Sequence, residues 1–422
     1  MSRPTFLAIL IYALVLGGLG TMRGGMFLLA IPLLVYVGVA LWHAPRPPQL
    51  AINRTAPSGT TAEGELVPIT LTLHNEGETL AELHVAETMP TGLAIHSGHT
   101  QLLTHLAGGE TAELTYTVVV QRGTFDVTGT AVTLRDPFGL FSWAGVPPVT
   151  TQLTVIPRYQ QLRSLRLRPP RTMGFSGPLA ARQSGSGTNF WGVREYQLGD
   201  PLRRVNWRTS ARYHEQLFTT EYEQERIADI SLIVDARREH MLAGNGESLL
   251  DHEVRATAAL ADSLLRDGHR VGLFLYGYGI DGVLPGYGKG QRERILRKLA
   301  EARPGSQVFR TLHYLPVRLF PAGAQLIFVS PLADGDEAML FRLRARGYGV
   351  LVVSPNAVEF EAHLLDQRQQ PAHSLALRLA RLERQQFLRQ LRQAGITTID
   401  WLVNESLDEA LQVALGQNSH SR

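Results

Sequence analysis

"ADISLIVDAR", residues 228–237, is the stretch on which the fold of this chain turns. Ile230, Leu232, Ile233 and Val234 lie almost side by side instead of alternating with polar residues. A short apolar run of that kind reads as a strand buried on both faces, as in a parallel sheet covered by helices. An acid, Asp235, closes it. The pattern then repeats downstream. Residues 248–267 place Leu249, Leu250, Val254, Ala258, Ala261, Leu264 and Leu265 at helical spacing. A second buried strand, "HRVGLFLYGYG" (269–279), precedes an amphipathic helix at 291–302. A third, "AQLIFVSPL" (324–332), precedes a helix at 336–346, and a fourth, "YGVLVVSPN", spans 348–356. A long helix at 371–394, then "ITTIDWLV" and "LDEALQVAL", close the series. Strands separated by helices predict a mostly parallel sheet with helices on both faces. Ligands in such sheets bind at the carboxyl ends of the strands, where Asp235, Ser330, Asp334 and Ser354 fall.

Upstream lies "REYQLGDPLRRVNWRTSAR", residues 194–212, with no helical or strand period. The Gly- and Ser-rich stretch before it, 174–192, is predicted to be loop. Gly199-Asp200-Pro201 reads as a turn in which Asp accepts backbone N–H groups. Arginine forks grip carboxylates bidentately, and Tyr196 and Trp207 are expected to fill a pocket. The residue types therefore suit a structural clasp between a β region and the α/β region. Its members are Arg194, Glu195, Tyr196, Gly199, Asp200, Arg203, Trp207, Ser210 and Arg212. The surplus of arginine over acid leaves room for an acidic partner surface, which is the alternative role of the same residues. Ser210 with His214 lacks an orienting third group and an oxyanion pocket, so no catalytic residue is assigned. "GYGKGQ" (286–291) fails the phosphate-loop pattern, because Val283 and Gly290 stand where Gly and Ser or Thr are required.

Residues 50–157 alternate with period two between turn signals, which predicts an immunoglobulin-like sandwich. "DPFGLF" (136–141) is expected to turn and pack its aromatic rings back on that sandwich. Residues 158–171 hold arginines and no acid, and read as a solvated connector. The helix at 371–394 carries Arg378, Arg381, Arg384, Arg389 and Arg392, and is expected to cover one side of the sheet. At the N-terminus two uncharged runs, 5–22 and 26–42, flank Arg23-Gly24-Gly25 and suit a tight transmembrane helical hairpin. Flanking charge favours a cytoplasmic soluble region by a margin of one or two residues. Among 422 residues the formal net charge is +3 and there is no Cys. The first gives no warrant for a nucleic-acid binder, which would show a concentrated basic footprint, and leaves nucleic acid a weaker alternative for the motif's aromatics among arginines. The second excludes disulfides, thiolate catalysis and cysteine-ligated metal.

The motif, its Gly-rich lead-in, the strand ending in Asp235 and the "DPFGLF" turn together resemble the bacterial domain-of-unknown-function 58 family. Arg194-Glu195-Tyr196, Gly199-Asp200, Arg203, Trp207 and Ser210-Ala211-Arg212 carry the resemblance. It implies a membrane-anchored protein with a degenerate von Willebrand factor A-like domain, associated with MoxR-type AAA ATPases. Functional von Willebrand A domains hold a divalent cation on an Asp-x-Ser-x-Ser loop, with a Thr and an Asp from two further loops. Here the loop reads Asp235-Ala236-Arg237-Arg238-Glu239, with Arg237 in place of the first Ser. A permanently charged guanidinium is electrostatically wrong for a cation site. No metal is therefore expected, although Asp235, Glu239, Ser330 and Asp334 are the candidates should Mg²⁺ bind. Asp235 is expected to pair with an Arg, from the loop itself or from the motif.

The expected architecture is α+β and multidomain. A transmembrane hairpin (1–47) leads to a β-sandwich (48–157), then an Arg-rich connector with the family motif (158–226). A von Willebrand factor A-like α/β domain (227–416) and a tail (417–422) follow. The expected function is a non-enzymatic scaffold at the bacterial cytoplasmic membrane, with a protein partner such as a MoxR-type ATPase and no nucleic acid. The alternatives are a divalent-metal-dependent ligand-binding or hydrolytic domain and an envelope receptor.

Overall fold

Two helices open the chain, α1 (Arg3–Thr21) and α2 (Gly24–Trp42), both long and apolar enough by length and composition to cross a membrane. They pack on one another as a hairpin. Gly18 permits that approach, because a Cβ there would meet the Phe27 ring at 2.9 Å. The computed structural model describes residues 3–22, 24–57, 59–163, 165, 179–213, 216–237, 242–244, 247–277, 280–305, 315–365 and 371–417. The chain divides into two units, Met1–Ile156 and Pro157–Arg422.

Three sheets follow the helices in the first unit. One runs in the order β1 (Leu50–Thr55), β3 (Leu66–Asn75), β7 (Thr111–Val120), β5 (Leu93–Gly98). A second runs β10 (Ser142–Gly145), β9 (Gly129–Arg135), β4 (Leu80–Thr88), β6 (Gln101–Leu106). The third is β2 (Thr60–Ala62), β11 (Thr151–Ile156), β8 (Gly123–Val127). Period-two alternation places Val67, Ile69, Leu71 and Leu73 of β3 and Leu114, Tyr116, Val118 and Val120 of β7 in one core. A polar cluster is buried there too. Arg54 forks onto both oxygens of Glu87, which also accepts from Tyr116 and Thr130. Burial alone would raise the Glu87 pKa, but those bonds, with Arg54 foremost, hold it below its ordinary value. The "DPFGLF" turn departs from expectation. Asp136 caps it by accepting from Phe138 N and Phe141 N, and the Phe138 ring meets Tyr36 on α2 and His43 just after that helix edge-on.

The second unit opens with a hairpin-like pair, β12 (Leu179–Glu195) and β13 (Phe218–Arg226). This corrects the reading of 179–192 as loop. The segment finds an antiparallel partner and accommodates its glycines through register shifts along the ladder. Residues 174–178 lie outside the described residues. Between the two strands sit a 3₁₀ turn, Leu202–Arg204, and the short helix α3 (Trp207–Ser210).

Then comes a six-stranded sheet in the order β18-β17-β14-β19-β20-β21. These are β14 (Asp229–Asp235), β17 (Arg270–Tyr276), β18 (Ile280–Gly286), β19 (Gln325–Val329), β20 (Gly349–Pro355) and β21 (Thr397–Trp401). All pairings are parallel except that of β18 with β17. The antiparallel edge β18 lay hidden in "IDGVLPG", whose Gly and Pro mask its alternation. Every residue of β14, β19 and β20 is buried, as runs without alternation require. Two-residue strands β15 (Ala243–Gly244) and β16 (Glu247–Ser248) precede α4 (Leu249–Arg266), which a Ser248–Asp251 capping box starts. The remaining helices are α5 (Lys289–Ala300), α6 (Asp336–Ala345), α7 (Ala357–Leu365), α8 (Pro371–Gln393) and α9 (Leu407–Gln417). Leu340 and Leu343 of α6 and Leu388 and Leu391 of α8 share a core with Ile233, Phe274 and Phe328 of the sheet. Only the C-terminal half of α8 covers the sheet. Leu375, Leu379 and Leu382 in its other half are exposed.

Candidate functional site

The strand order places β14 between β17 and β19, so successive connections leave it in opposite directions. That is a topological switch point, and its crevice lies at the carboxyl ends of β14 and β19. Asp235 ends β14, and Ser330 follows β19. Arg237 fills the crevice. Its Nε donates to Asp235 Oδ1 at 2.8 Å and its Nη2 to Asp235 Oδ2 at 2.6 Å. Nη1 and Nη2 also donate to Asp336 Oδ1 and Oδ2 at 3.0 and 2.6 Å. One guanidinium thus makes two bidentate forks, the geometry to which its planar donors are suited. Ser330 Oγ donates to Asp235 Oδ2 at 2.6 Å and accepts from Leu332 N. Ala333 N donates to Asp336 Oδ2 at 2.9 Å. Leu332 takes a left-handed φ of 62°, a strained backbone that the flanking bonds hold in place. The Arg237 guanidinium also lies 5.9 Å from the Tyr276 ring centre.

Burial disfavours the charge on Arg237, but the bonds and charges of Asp235 and Asp336 outweigh it, and its pKa stands above the ordinary arginine value. The residue is 2% exposed. Beneath it on α4, Glu253 is buried, and its Oε2 has no hydrogen-bond partner among the described residues. Burial first, and the Asp235 charge second, push its pKa well above the usual carboxylate range. Glu253 is therefore a buried carboxyl, disfavoured in its charged form, beside a buried ionic triad.

Of the residues read from sequence, Asp235 and Ser330 meet here, and the arginine on Asp235 comes from its own loop. Asp334 does not take part: it stands exposed on the turn, and Asp336, two residues on, supplies the second carboxylate. The helix decides this. Asp336 opens α6, where its carboxylate folds back onto Ala333 N and turns inward. Its position in the first turn of a helix after Gly335 was the available signal. Glu239 lies outside the described residues. Ser354 takes a second arginine: Arg384 of α8 donates to its Oγ at 2.9 Å, to Asp400 Oδ1 at 2.8 Å and to Pro331 O at 3.2 Å. Two arginines thus bridge the carboxyl edge of the sheet.

A divalent ion of the von Willebrand A type does not fit this donor set. Both oxygens of Asp235 and both of Asp336 already accept from Arg237, and a second positive charge there would face the guanidinium at close range.

The motif builds a separate cluster on the β12–β13 pair. Arg194 forks onto Asp200 with two 2.8 Å bonds and reaches Glu221 at 2.7 Å. Those bonds raise the Arg194 pKa, and the Arg194 bond lowers that of Asp200. Asp200 also accepts from Gln197 N, across a turn in which Gly199 takes a φ of 110°. Tyr196 donates to Asp200 O, and Glu195 accepts from Arg194 at its backbone oxygen. Asn206 caps α3 by accepting from Thr209 N. Ser210 Oγ accepts from Phe218 N at 2.8 Å, which gives it a structural task. Each of these bonds closes within residues 194–221. Trp207, expected in a pocket, is 65% exposed, and Arg203 and Arg212 are exposed too. The four-residue helix α3 is too short to press the ring against the strands, and the residues buried here instead are its own Ser210 and Val205, which follows the 3₁₀ turn.

Comparison with known proteins bears out the family resemblance. Residues 192–387 match the family described as protein of unknown function DUF58. The uncharacterized protein YeaD of Bacillus subtilis is 29% identical over 154 residues, which is 36% of this chain and 36% of YeaD. The chain thus spans about a third of the length of that curated relative. Among solved structures, the CARDB domain of the PF1109 protein from Pyrococcus furiosus covers 27% of this chain and 92% of its own, at 13% identity and a TM-score of 0.17. A FixG-related protein from Vibrio parahaemolyticus covers 26% and 98%, at 11% identity and a TM-score of 0.18.

Proposed function

We propose that this chain is a membrane-anchored, non-enzymatic scaffold or adaptor that works with a MoxR-type AAA ATPase in protein-complex assembly or cell-envelope processes. The reading places the anchor in the bacterial cytoplasmic membrane, with the soluble region on the cytoplasmic side. The observation that carries it is Arg237. In the reading of the second unit as a von Willebrand factor A-like domain, the switch-point crevice is where a metal-dependent member would hold its ion and engage a ligand. Here that crevice is closed by a guanidinium satisfied by Asp235 and Asp336. Arg384 bridges Ser354 and Asp400 beside it. A domain so plugged retains a rigid sheet and outer surfaces for docking. The strand order, with its antiparallel edge β18, supports the von Willebrand A reading, and the apolar helices α1 and α2 support the anchor.

The test is capture of the purified MoxR-type ATPase of the same organism by the full chain in detergent micelles, with and without EDTA and in the absence of nucleotide. The reading expects capture in both conditions, because the crevice needs no metal. Absence of capture overturns the ATPase partnership, and capture abolished by EDTA overturns the metal-independent scaffold.

A further inference from the structure

The motif pairs Arg194 with Asp200 and Glu221 in half-buried ionic bonds and leaves several apolar side chains outside. Leu202 is 66% exposed, Trp207 65% and Tyr213 57%, while Leu198 at the tip of the preceding turn is fully exposed. Arg203, Arg208 and Arg212 are exposed among them and make no hydrogen bond or ion pair with the described residues. This arrangement is not a floppy loop. The Arg194–Asp200 fork, the Asn206 cap and the Ser210–Phe218 bond hold the turns that present these side chains, and Val205 is buried beneath them. The fold thus displays a fixed surface of Trp, Tyr and Leu with arginine between them.

We propose that this face, residues 198–213, docks the second unit onto an anionic bilayer surface. The proposal rests on the membrane-anchored reading above. Trp and Tyr with apolar neighbours partition to the headgroup level, where an aromatic ring meets both acyl chain and water. Arginines near an anionic leaflet each add attraction, on the order of 100-fold in binding for three together. A bilayer also answers the charge. The one acid of the face, Asp200, is taken by Arg194, so among the described residues Arg203, Arg208 and Arg212 have no acid to balance them, and a negative surface neutralises all three at once. An anchor in the same chain keeps that surface at high effective concentration, so weak individual contacts suffice. Docking would fix the orientation of the α/β sheet to the membrane, and a partner would then meet only the surfaces turned away from the lipid.

The absence of Cys makes the experiment direct, because a Leu202→Cys variant holds a single thiol. The full chain, labelled there with an environment-sensitive fluorophore, is reconstituted into phosphatidylcholine vesicles with and without phosphatidylglycerol. A second variant, Leu379→Cys on the exposed half of α8, serves as the comparison site. The expected result is that the label at 202, in phosphatidylglycerol vesicles only, is quenched by brominated lipid and shielded from acrylamide. The label at 379 is not. High salt or the combined Arg203→Gln, Arg208→Gln, Arg212→Gln variant abolishes the shielding. A chain that fails to float with vesicles overturns the anchored reading and the docking with it. A chain that floats but leaves the label at 202 open to acrylamide in both vesicle types overturns the docking alone. Equal shielding at 202 and 379 also overturns it, since contact is then not specific to this face. Shielding that appears in native membranes but not in protein-free anionic vesicles assigns the face to an acidic protein instead and likewise overturns the proposal.

Discussion

Replacing Arg237 by Met isolates the ionic lock at the sheet edge. The methionine fills much of the aliphatic path but donates nothing, so Asp235 and Asp336 lose the four side-chain bonds that Arg237 makes to them. Both carboxylates are buried, with side chains 2% and 0% exposed. Removing one partner of a buried ion pair costs about 3–5 kcal/mol, because the remaining charge is left without compensation. Two stranded carboxylates place Arg237→Met at the upper end of that range. For a unit of this size each kcal/mol lowers the melting midpoint by roughly 2–4 °C, so the drop is about 10–20 °C. Thermal and urea unfolding of the full chain in detergent measures it. Removing the charges together reverses the sign of the argument. Arg237→Met with Asp235→Asn and Asp336→Asn recovers most of the loss, since an uncharged cluster has nothing to neutralise. Replacing Arg237 by Ser instead leaves the two carboxylates and Ser330 around a vacated centre. Mg²⁺ should then stabilise the variant, by about 2.7 kcal/mol at a hundredfold excess over Kd, and leave the wild type unchanged. A loss below about 1 kcal/mol for Arg237→Met, or a triple variant no better than the single one, refutes the lock.

Glu253 gives a pH test of the same neighbourhood. Its folded pKa is raised above 4.5, so the stability it contributes is full below that value and is lost as pH rises through its folded pKa. Glu253→Gln should match wild type near pH 4.5 and become the more stable protein as pH rises; parallel melting curves across that range would exclude a protonated Glu253. Asp336→Asn should cost about 3–5 kcal/mol and Asp334→Asn less than about 0.5, measured by urea unfolding; equal effects would contradict the placement of Asp336 at the crevice. Asp200→Ala removes the fork from Arg194 and should lower the melting midpoint of the full chain. Unchanged stability with lost partner capture would make the motif an interaction surface instead of a clasp.

Much of this organisation was legible from the chain alone. Uninterrupted apolar runs such as Ile230 to Val234 must be covered on both sides, so they announce a buried parallel sheet whatever their neighbours. Period-two alternation announced the β region before 157, and charge-free runs announced α1 and α2, because burial and solvation act residue by residue. The pairing of Asp235 with an arginine was also readable, since a fixed positive charge two residues away demands a carboxylate.

What the sequence could not decide was which groups meet. Asp334 and Asp336 look alike as letters, and only the first turn of α6 directs one inward and leaves the other in water. Glu253 reads as one more polar residue on a helix until α4 packs against β14 and buries it beside Asp235. The Gly-rich stretch before the motif becomes strand only because β13 lies opposite it, and strand pairing is a property of two segments at once. Trp207 reads as core by composition and stands at the surface because a one-turn helix has no second layer to receive it. Local physics thus set the elements. The ionic lock arises from contacts between residues far apart in the chain, and those contacts exist only once the chain has folded.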